Sequence, residues 1–241
     1  MPVYLLTGAS RGIGLELARQ LSSTPDNTIL ALVRSISSPL SSLQDERQNI
    51  RVVICDISSE ESIASLSSIL PSILGDAKVA YIINNAAVLH GSASKALDLS
   101  TSSLNANVTT NVLGPAHILQ AALPFLADNA LIVNMTSGIA SLALVSNGTI
   151  PAGITAYSIS KCALNMLTVH QAQELKGMAR VVCLDPGHVK TEMGGEHAVV
   201  EIPDSARGIL RVLGGLGKDV HGDMAAGRAR FYSFLGDQVP W

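Results

Sequence analysis

The sequence predicts an α/β fold, with one doubly wound parallel sheet of about seven strands and helices on both faces. Short apolar runs alternate with helical patterns along the 241 residues, which is typical of consecutive βαβ units. Hydrophobic residues make up 47% of the chain and charged residues only 15%, which suffices to cover a sheet on both faces. The first apolar run leads directly into a glycine-rich turn and then into a helical pattern.

We interpret residues 1–241 as a single domain, because an open sheet of this size commonly folds as one unit. The predicted strands are Val3–Leu6, Thr28–Val33, Val52–Cys55, Val79–Ile83, Ala130–Met135, Arg180–Leu184 and Arg230–Tyr232. The predicted helices are Arg11–Ser22, Glu60–Leu70, Ser103–Leu123, Ala156–Lys176 and Ser205–Leu216, with a polar loop and short helix at Ser37–Gln48. Candidate functional residues recur at the carboxyl ends of the strands, where open α/β sheets bind ligands.

The composition argues against several classes of protein. The formal net charge is −3 and aromatic residues make up 3%, so no surface for nucleic acid is expected. No apolar run approaches the length of a membrane span, and Met1–Leu6 is predicted to be the first strand rather than a signal peptide. The three cysteines (Cys55, Cys162 and Cys183) and the six histidines lack metal-ligand spacing. We therefore expect a cytoplasmic protein with reduced thiols, no metal and no membrane partner.

The glycine-rich turn at residues 7–14 predicts a phosphate-binding site. Gly8, Gly12 and Gly14 follow the first predicted strand and open the first predicted helix. Glycine permits a tight turn and a close approach of the backbone to a pyrophosphate, and the amides at a helix start favour an anion. The spacing GxxxGxG differs from the commoner GxGxxG, but the strand–turn–helix context supports a Rossmann-type dinucleotide site. A glycine-rich turn without a ligand is the alternative.

The residues after the second predicted strand indicate which dinucleotide binds. An acidic residue there would bind the ribose 2′-hydroxyl of NAD, whereas an arginine accommodates the 2′-phosphate of NADP. The segment 31–35 contains no acid, and Arg34 stands at the selecting position. Arg11, inside the glycine turn, is a second guanidinium that could reach the same phosphate. We therefore predict NADP(H) as the cofactor; the alternative is that both arginines are solvated surface charges.

Tyr157 and Lys161 indicate proton transfer. They lie four residues apart on a predicted helix and so project from one helix face. An unperturbed tyrosine has a pKa of about 10, and a nearby ammonium is expected to lower this pKa by stabilising the phenolate. The same ammonium could hold the nicotinamide ribose. This spacing is common by chance, but together with the glycine turn it predicts hydride transfer between a nicotinamide cofactor and a carbonyl or alcohol.

Such a reaction needs a hydroxyl donor that polarises the substrate oxygen, in the manner of an oxyanion hole. Ser137, at the end of the fifth predicted strand, is the candidate, and Thr136 and Ser141 are the alternatives. Asn111, inside a predicted helix, could bind a water molecule that links Lys161 to solvent and carries a proton relay.

With these residues in view, the chain resembles the short-chain dehydrogenase/reductase family over essentially its whole length. The matching motifs are the cofactor turn from Thr7 to Gly14, the adenine-contacting pair Asp56-Ile57, Asn84-Asn85-Ala86-Ala87, the catalytic tetrad Asn111, Ser137, Tyr157 and Lys161, and the carboxamide-binding segment Pro186–Thr191. The resemblance implies that the cofactor is contacted by Gly8, Ser10, Arg11, Gly12, Ile13, Gly14, Arg34, Asp56, Ile57, Asn84, Ala86, Tyr157, Lys161, Pro186, Gly187, Val189 and Thr191.

Two departures from the family pattern stand out. Ala87 replaces the usual glycine, and Tyr157 follows Ser137 by 20 positions, with Ser141–Ile154 forming an enlarged loop. This loop is expected to shape the substrate pocket and leaves the choice of serine open.

The ends of the chain resemble one branch of the family. The segment 192–203 and the terminus 236–241 are similar to C-factor/sniffer-type carbonyl reductases and to fungal ketoreductases. The resemblance also implies a homodimer or homotetramer, formed through the helices around Asn111 and Tyr157.

We therefore predict an NADPH-dependent oxidoreductase that reduces a ketone or aldehyde to an alcohol, or catalyses the reverse, with Tyr157 as proton donor. One alternative is a dinucleotide-binding sensor or signalling protein of the same fold; such proteins typically lose the tyrosine or the lysine, and this chain keeps both. The other is an NAD-dependent alcohol dehydrogenase, which the missing acid after the second strand disfavours.

Overall fold

The computed structural model describes residues 1–91, 95–216 and 226–241. Within these ranges, seven parallel strands form one sheet in the order β3-β2-β1-β4-β5-β6-β7. The strands are β1 (Val3–Thr7), β2 (Thr28–Val33), β3 (Ile50–Ile54), β4 (Val79–Asn84), β5 (Leu126–Met135), β6 (Ala179–Asp185) and β7 (Phe231–Ser233). The order reverses between β1 and β4, which creates the crevice where doubly wound sheets bind ligands.

Helices cover both faces of this sheet, so the predicted fold class is confirmed. They are α1 (Gly12–Ser22), α2 (Ser38–Glu46), α3 (Glu60–Leu74), α4 (Thr101–Val108), α5 (Gly114–Ala122), α6 (Leu142–Ser146), α7 (Thr155–Glu174) and α8 (Ile202–Leu216). Because successive strand residues point to opposite faces, Leu5 packs in a core with residues of α3, α5 and α7, whereas Leu6 packs in a second core with residues of α1, α2 and α8.

The predicted helix Ser103–Leu123 is two α-helices joined by a π-helical turn at Thr109–Leu113. In this turn the amide of Gly114 donates to the carbonyl oxygen of Thr109. Pro115 has no N–H and cannot donate the α-helical hydrogen bond to the carbonyl of residue 111. Single π turns of this kind are frequent at functional sites, and this one carries a residue of the predicted tetrad.

Strand β5 begins at Leu126, earlier than the predicted start at Ala130. Its pairing with β4 shifts register between Val79 and Tyr81, and Asn129 has a φ of 59°. An irregularity of this kind interrupts the apolar alternation of a strand. A search for apolar runs therefore finds only the second part of β5.

The enlarged loop Ser141–Ile154 contains a short helix, α6, which the sequence did not reveal. The hydroxyl of Ser141 caps its amino end and also donates to the Pro240 carbonyl oxygen at 2.6 Å. The amide of Ala143 donates to the Trp241 carbonyl oxygen at 3.0 Å. The terminal segment therefore fixes α6 beside the end of β5.

Two findings bear on the predicted absence of a membrane partner and of a metal. Among the helices of the described ranges, none has the length and apolarity needed to cross a membrane. Within the same ranges, no group of three or more His, Cys, Asp or Glu side chains is arranged to hold a metal ion. The three cysteines are free thiols.

Candidate active site

The glycine turn after β1 forms a cradle that side chains would fill. Gly8 and Gly12 have φ angles of 72° and 56°, in the left-handed region that favours glycine. A Cβ on Gly14 would lie 2.2 Å from the Gly8 carbonyl oxygen, and a Cβ on Gly8 would lie 2.9 Å from Ala86 Cβ. The backbone amides that lead into α1 are therefore exposed at a helix start, which suits a phosphate group.

Side chains at the end of β4 lock this turn in place. Asn85 Nδ2 donates to the Thr7 carbonyl oxygen, and the Ala86 amide donates to Thr7 Oγ1, both at 3.0 Å. The side chain of Asn84 does not take part, contrary to the predicted cofactor contact. It is buried within the sheet, where its Nδ2 donates to Asn134 Oδ1 at 2.8 Å. Asn85 and Ala86, rather than Asn84, line the cleft.

A cleft of about 710 Å³ runs along the carboxyl ends of β1 to β4, and this volume suits a cofactor. The predicted cofactor residues that line it are Gly8, Ser10, Arg11, Gly12, Ile13, Gly14, Arg34, Asp56, Ile57, Ala86 and Thr191. Further lining residues that the sequence did not identify are Ser37, Ser58 and Thr110. The narrow glycine cradle and the polar rim fit an extended dinucleotide.

Arg34 is exposed at the rim of the cleft, directly after β2. Burial acts to raise the pKa of the neighbouring Asp56 carboxyl, but hydrogen bonds from Ser58 and the Arg34 charge hold this pKa below its ordinary value. Ser37 Oγ donates to the Ser10 carbonyl oxygen at 2.6 Å and ties the segment after β2 to the glycine turn. The rim therefore places a guanidinium next to the phosphate cradle.

Arg11 is engaged elsewhere in the structure. Its guanidinium forms an ion pair with Glu192, and both side chains are exposed. An exposed pair of this kind contributes little to stability. The predicted contact of Arg11 with the cofactor phosphate would therefore require Arg11 to exchange this partner, whereas Arg34 needs no such change.

Tyr157 and Lys161 lie one turn apart on α7, and both are buried, with 9% and 2% of their surface exposed. The Lys161 ammonium lies 5.7 Å from the centroid of the Tyr157 ring. It donates to the Met135 carbonyl oxygen, at the end of β5, at 2.7 Å. The structure therefore brings the pair together at the carboxyl edge of the sheet.

Burial dominates the titration of this pair. It raises the pKa of the Tyr157 hydroxyl well above its ordinary value, and the negative charge of Asp185 raises it further. It also lowers the pKa of Lys161 to about 8, against a smaller upward contribution from Cys183. The expectation that Lys161 lowers the pKa of Tyr157 is not met in this structure. The raised pKa instead favours the protonated hydroxyl, which is the form that donates a proton.

The three candidate hydroxyl donors differ in burial and in the hydrogen bonds that they already make to other protein groups. Thr136 is buried and its Oγ1 donates to the Lys161 carbonyl oxygen at 3.4 Å. Ser141 is fully buried, and its hydroxyl caps α6 and donates to Pro240. Ser137 is only half-buried and is the second residue after the end of β5. The two alternatives therefore have structural roles, and Ser137 is the hydroxyl that suits a substrate.

Asn111 is fully buried, and its side-chain amide is engaged with protein groups. Its Oδ1 accepts from the Val88 amide at 2.9 Å, and its Nδ2 donates to the Val88 carbonyl and to Ser160 Oγ at 2.9 and 3.0 Å. Ser160 Oγ in turn donates to the Tyr157 carbonyl oxygen at 2.7 Å. The side chain therefore braces α7.

The segment after β6 faces the glycine turn. Gly187 has a φ of 83°, and a Cβ there would lie 2.8 Å from the Phe234 ring. Val189 is buried, whereas Thr191 lines the cleft and its methyl group would lie 3.3 Å from a Cβ on Gly12. This segment therefore closes the second side of the cleft.

A comparison with known proteins identifies the family to which this chain belongs. Residues 2–199 match the family model described as short chain dehydrogenase. The chain belongs to the short-chain dehydrogenase family. The resemblance predicted from the motifs is therefore confirmed.

Relatives of this short-chain dehydrogenase come from bacteria and fungi. It is 38% identical over 166 residues to the C-signal of Myxococcus xanthus, which covers 68% of this chain and 93% of that protein. It is 30% identical over 240 residues to a short-chain dehydrogenase/reductase of Arthrinium sp, which covers 93% of this chain and 88% of that protein.

Solved structures show the same fold. The NADPH-bound carbonyl reductase from chicken fatty liver has a TM-score of 0.86 and 26% identity, and the match covers 100% of both chains. The carbonyl reductase Sniffer of D. melanogaster has a TM-score of 0.85 and 24% identity, over 100% of this chain and 99% of that one. With the C-signal, these matches bear out the predicted similarity to the C-factor/sniffer-type branch.

Two polar residues of this region were not identified as functional from the sequence. Asn134 lies within β5, and its Nδ2 donates to Thr168 Oγ1 and Gln171 Oε1 on α7 at 2.8 and 2.9 Å. Asp185 ends β6, and its Oδ1 accepts from the Gly187 amide at 3.1 Å. The position of Asp185 at the carboxyl end of a strand was a usable signal, whereas nothing local marks Asn134.

Proposed function

We propose that this short-chain dehydrogenase is an NADPH-dependent reductase of ketones or aldehydes. The observation that carries the proposal is the buried pair Tyr157 and Lys161, which lies at the carboxyl edge of the sheet with the ammonium 5.7 Å from the centroid of the tyrosine ring. Carbonyl reduction needs a proton donor of this kind beside a dinucleotide site. The bound NADPH in the related chicken carbonyl reductase supports the same conclusion.

In the proposed mechanism each residue of the tetrad has a separate task. When bound, NADPH supplies the hydride that forms the new C–H bond at the carbonyl carbon. Tyr157 donates its hydroxyl proton to the substrate oxygen and becomes a phenolate, and the neighbouring cation is the Lys161 ammonium, 5.7 Å from the centroid of its ring. Ser137 donates a hydrogen bond to the same oxygen and polarises it. Asn111, which is joined to α7 through Ser160, supports the water relay that resupplies the proton through Lys161.

Arg34 is proposed to select NADPH over NADH. We predict that Arg34→Asp reverses the cofactor preference, because the carboxylate repels the 2′-phosphate and can accept from the 2′-hydroxyl of NADH. The ratio of kcat/KM for NADPH to that for NADH should fall about 100-fold or more, since a charged hydrogen bond is worth about 1.5–3 kcal/mol and repulsion adds to its loss.

The control for this variant is Arg47→Asp, which makes the same charge change at an exposed arginine outside the cleft lining. It should leave the ratio unchanged. If the ratio of kcat/KM for the two cofactors were the same in both variants, Arg34 would be rejected as the selector. NAD would then again be a candidate cofactor.

The proposed activity is tested by two linked measurements on the full chain. Fluorescence titration with NADPH and NADH gives both dissociation constants, and NADPH oxidation is then followed with a panel of ketones and aldehydes. Tight NADPH binding with turnover of panel members supports the proposal. NADPH binding without any turnover would favour the sensor alternative, and a preference for NADH would favour the NAD-dependent dehydrogenase.

The protein is further proposed to form a homodimer or homotetramer through the helices around the site. Leu113, Ile159 and Met166 are 43%, 39% and 59% exposed there, and Ile159 and Met166 lie seven residues apart on one face of α7. Burying such side chains favours association. Sedimentation equilibrium of the wild type and of Met166→Lys tests this; a monomer in both would refute it.

A further inference from the structure

An ion pair joins the two sides of the cleft, and one of its partners has no role in the proposed mechanism. The guanidinium of Arg11, in the glycine turn, pairs with the carboxylate of Glu192, which directly follows Thr191. Both side chains line the cleft, and both are exposed. The pair therefore links the phosphate cradle to the segment that closes the second side of the cleft.

The backbone that carries Glu192 is fixed beside the glycine turn. The methyl group of Thr191 would lie 3.3 Å from a Cβ on Gly12. The Gly194 amide donates to Thr191 Oγ1, and the Gly195 amide donates to the Thr191 carbonyl oxygen, both at 3.1 Å. Glu192 lies inside this turn, so the backbone keeps its carboxylate close to the glycine turn. Because both partners of the ion pair are exposed, rotation of their side chains is enough to break it.

Arg11 also lies next to the segment that is proposed to recognise the 2′-phosphate. The hydroxyl of Ser37, three residues after Arg34, donates to the Ser10 carbonyl oxygen at 2.6 Å. Arg11 follows Ser10 in the chain, so its side chain starts beside the segment that carries Arg34. A guanidinium binds a carboxylate and a phosphate through the same paired N–H donors. Glu192 and a 2′-phosphate are therefore alternative partners for Arg11.

We propose that Glu192 is a specificity-determining residue for the cofactor, because it competes with the 2′-phosphate of NADPH for Arg11. The ion pair has to break before Arg11 binds the phosphate, so the pair lowers the affinity for NADPH. NADH lacks this phosphate and leaves the pair intact. The same competition acts against the product NADP⁺ and favours its release. This inference rests on the proposed function, because it requires a cofactor that carries the 2′-phosphate.

The test is the binding of NADPH and of NADH to Glu192→Gln, measured by fluorescence titration of the full chain without a substrate. Glutamine keeps the size of the side chain and removes the charge that holds Arg11. The dissociation constant for NADPH should fall about two- to fivefold, because an exposed ion pair of ordinary strength no longer has to break. The dissociation constant for NADH should equal that of the wild type. An unchanged affinity for NADPH, or an equal gain for both cofactors, would overturn the inference.

The same substitution in an Arg11→Met background separates competition for the guanidinium from direct repulsion of the cofactor. If Glu192 acts through Arg11, adding Glu192→Gln to Arg11→Met should leave the NADPH dissociation constant unchanged. If the carboxylate repelled the 2′-phosphate directly, the substitution would tighten NADPH binding in this background too. That result would contradict the proposed competition.

A matched control is Glu196→Gln, the same change at an exposed acid of the same segment, outside the cleft lining. Both of its dissociation constants should equal those of the wild type.

These titrations do not depend on turnover, so the role of Glu192 and the proposed function can fail separately. A wild type that prefers NADPH, with the same NADPH dissociation constant in Glu192→Gln, would reject the role of Glu192 alone. A wild type that binds NADH more tightly than NADPH would reject the proposed cofactor and, with it, the competition for Arg11. If NADPH binds and no carbonyl is reduced, the proposed reaction fails, while the titrations still decide the role of Glu192.

Discussion

Replacing Tyr157 by phenylalanine is expected to abolish carbonyl reduction while leaving NADPH binding intact. The substitution removes one hydroxyl group and keeps the ring, which is buried in the first turn of α7. A general acid in the transition state contributes about 10²–10⁴-fold to a rate, so kcat should fall by about this factor or more. The NADPH dissociation constant should change by less than about threefold, because the lost hydroxyl donates to the substrate and not to the cofactor. A threefold change corresponds to about 0.6 kcal/mol, which is no more than one neutral hydrogen bond contributes.

The matched control is Tyr81→Phe. Tyr81 stacks on Tyr4 with ring centroids 4.4 Å apart, towards the amino end of β4. The Tyr81→Phe variant loses the same hydroxyl oxygen far from the carboxyl edge of the sheet, and it should reduce carbonyls at the wild-type rate. Wild-type turnover in Tyr157→Phe would sink the proposed mechanism. A loss of NADPH binding in that variant would instead assign the hydroxyl to the cofactor.

The parts of the site that could be predicted from the sequence are those encoded locally. The glycine turn could be predicted because Gly8 and Gly14 lie where a predicted strand meets a predicted helix. Tyr157 and Lys161 were paired because helix geometry brings residues four apart to one face. The apolar runs of the buried parallel strands likewise predicted the sheet, since both faces of such strands are covered.

The parts that could not be predicted depend on contacts between distant segments. The ion pair of Arg11 joins it to a residue 181 positions away, so the sequence could not show that this guanidinium would have to exchange a partner to reach a phosphate. Asn84 was assigned to the cofactor because it belongs to a family motif, whereas its side chain satisfies a buried amide on β5. The pKa of Tyr157 was expected to fall because only Lys161 was considered, and neither its burial nor Asp185 is visible in a helical spacing.

Gly14→Ala is expected to unfold the cofactor turn and to cost both stability and NADPH binding. The added Cβ would lie 2.2 Å from the Gly8 carbonyl oxygen and 2.6 Å from Asn85 Nδ2. Neither neighbour can yield easily: the Gly8 amide donates to the Leu32 carbonyl oxygen at 2.9 Å, and Asn85 is bound to Thr7. Overpacking typically lowers the free energy of unfolding by about 1–3 kcal/mol and sometimes more. A clash with fixed backbone should cost an amount at the upper end of this range.

Differential scanning calorimetry measures this cost. For a chain of this size about 3 kcal/mol corresponds to a fall in Tm of roughly 6–12 °C. NADPH titration of the same variant should show a loss of affinity of at least about tenfold, because the amides of the turn no longer converge on one phosphate. A Tm and an NADPH affinity equal to those of the wild type would show that the turn has room for a side chain.

Gly214→Ala provides the opposite result for the same substitution. Gly214 lies on the exposed side of α8 with no atom within 4 Å of an added Cβ. Alanine in a helix is favoured over glycine by about 0.5–1 kcal/mol, so this variant should unfold at a slightly higher temperature and bind NADPH normally. The opposite signs follow from where each Cβ would lie: at Gly14 it occupies the space that the backbone needs to hold a dinucleotide, and at Gly214 it occupies solvent.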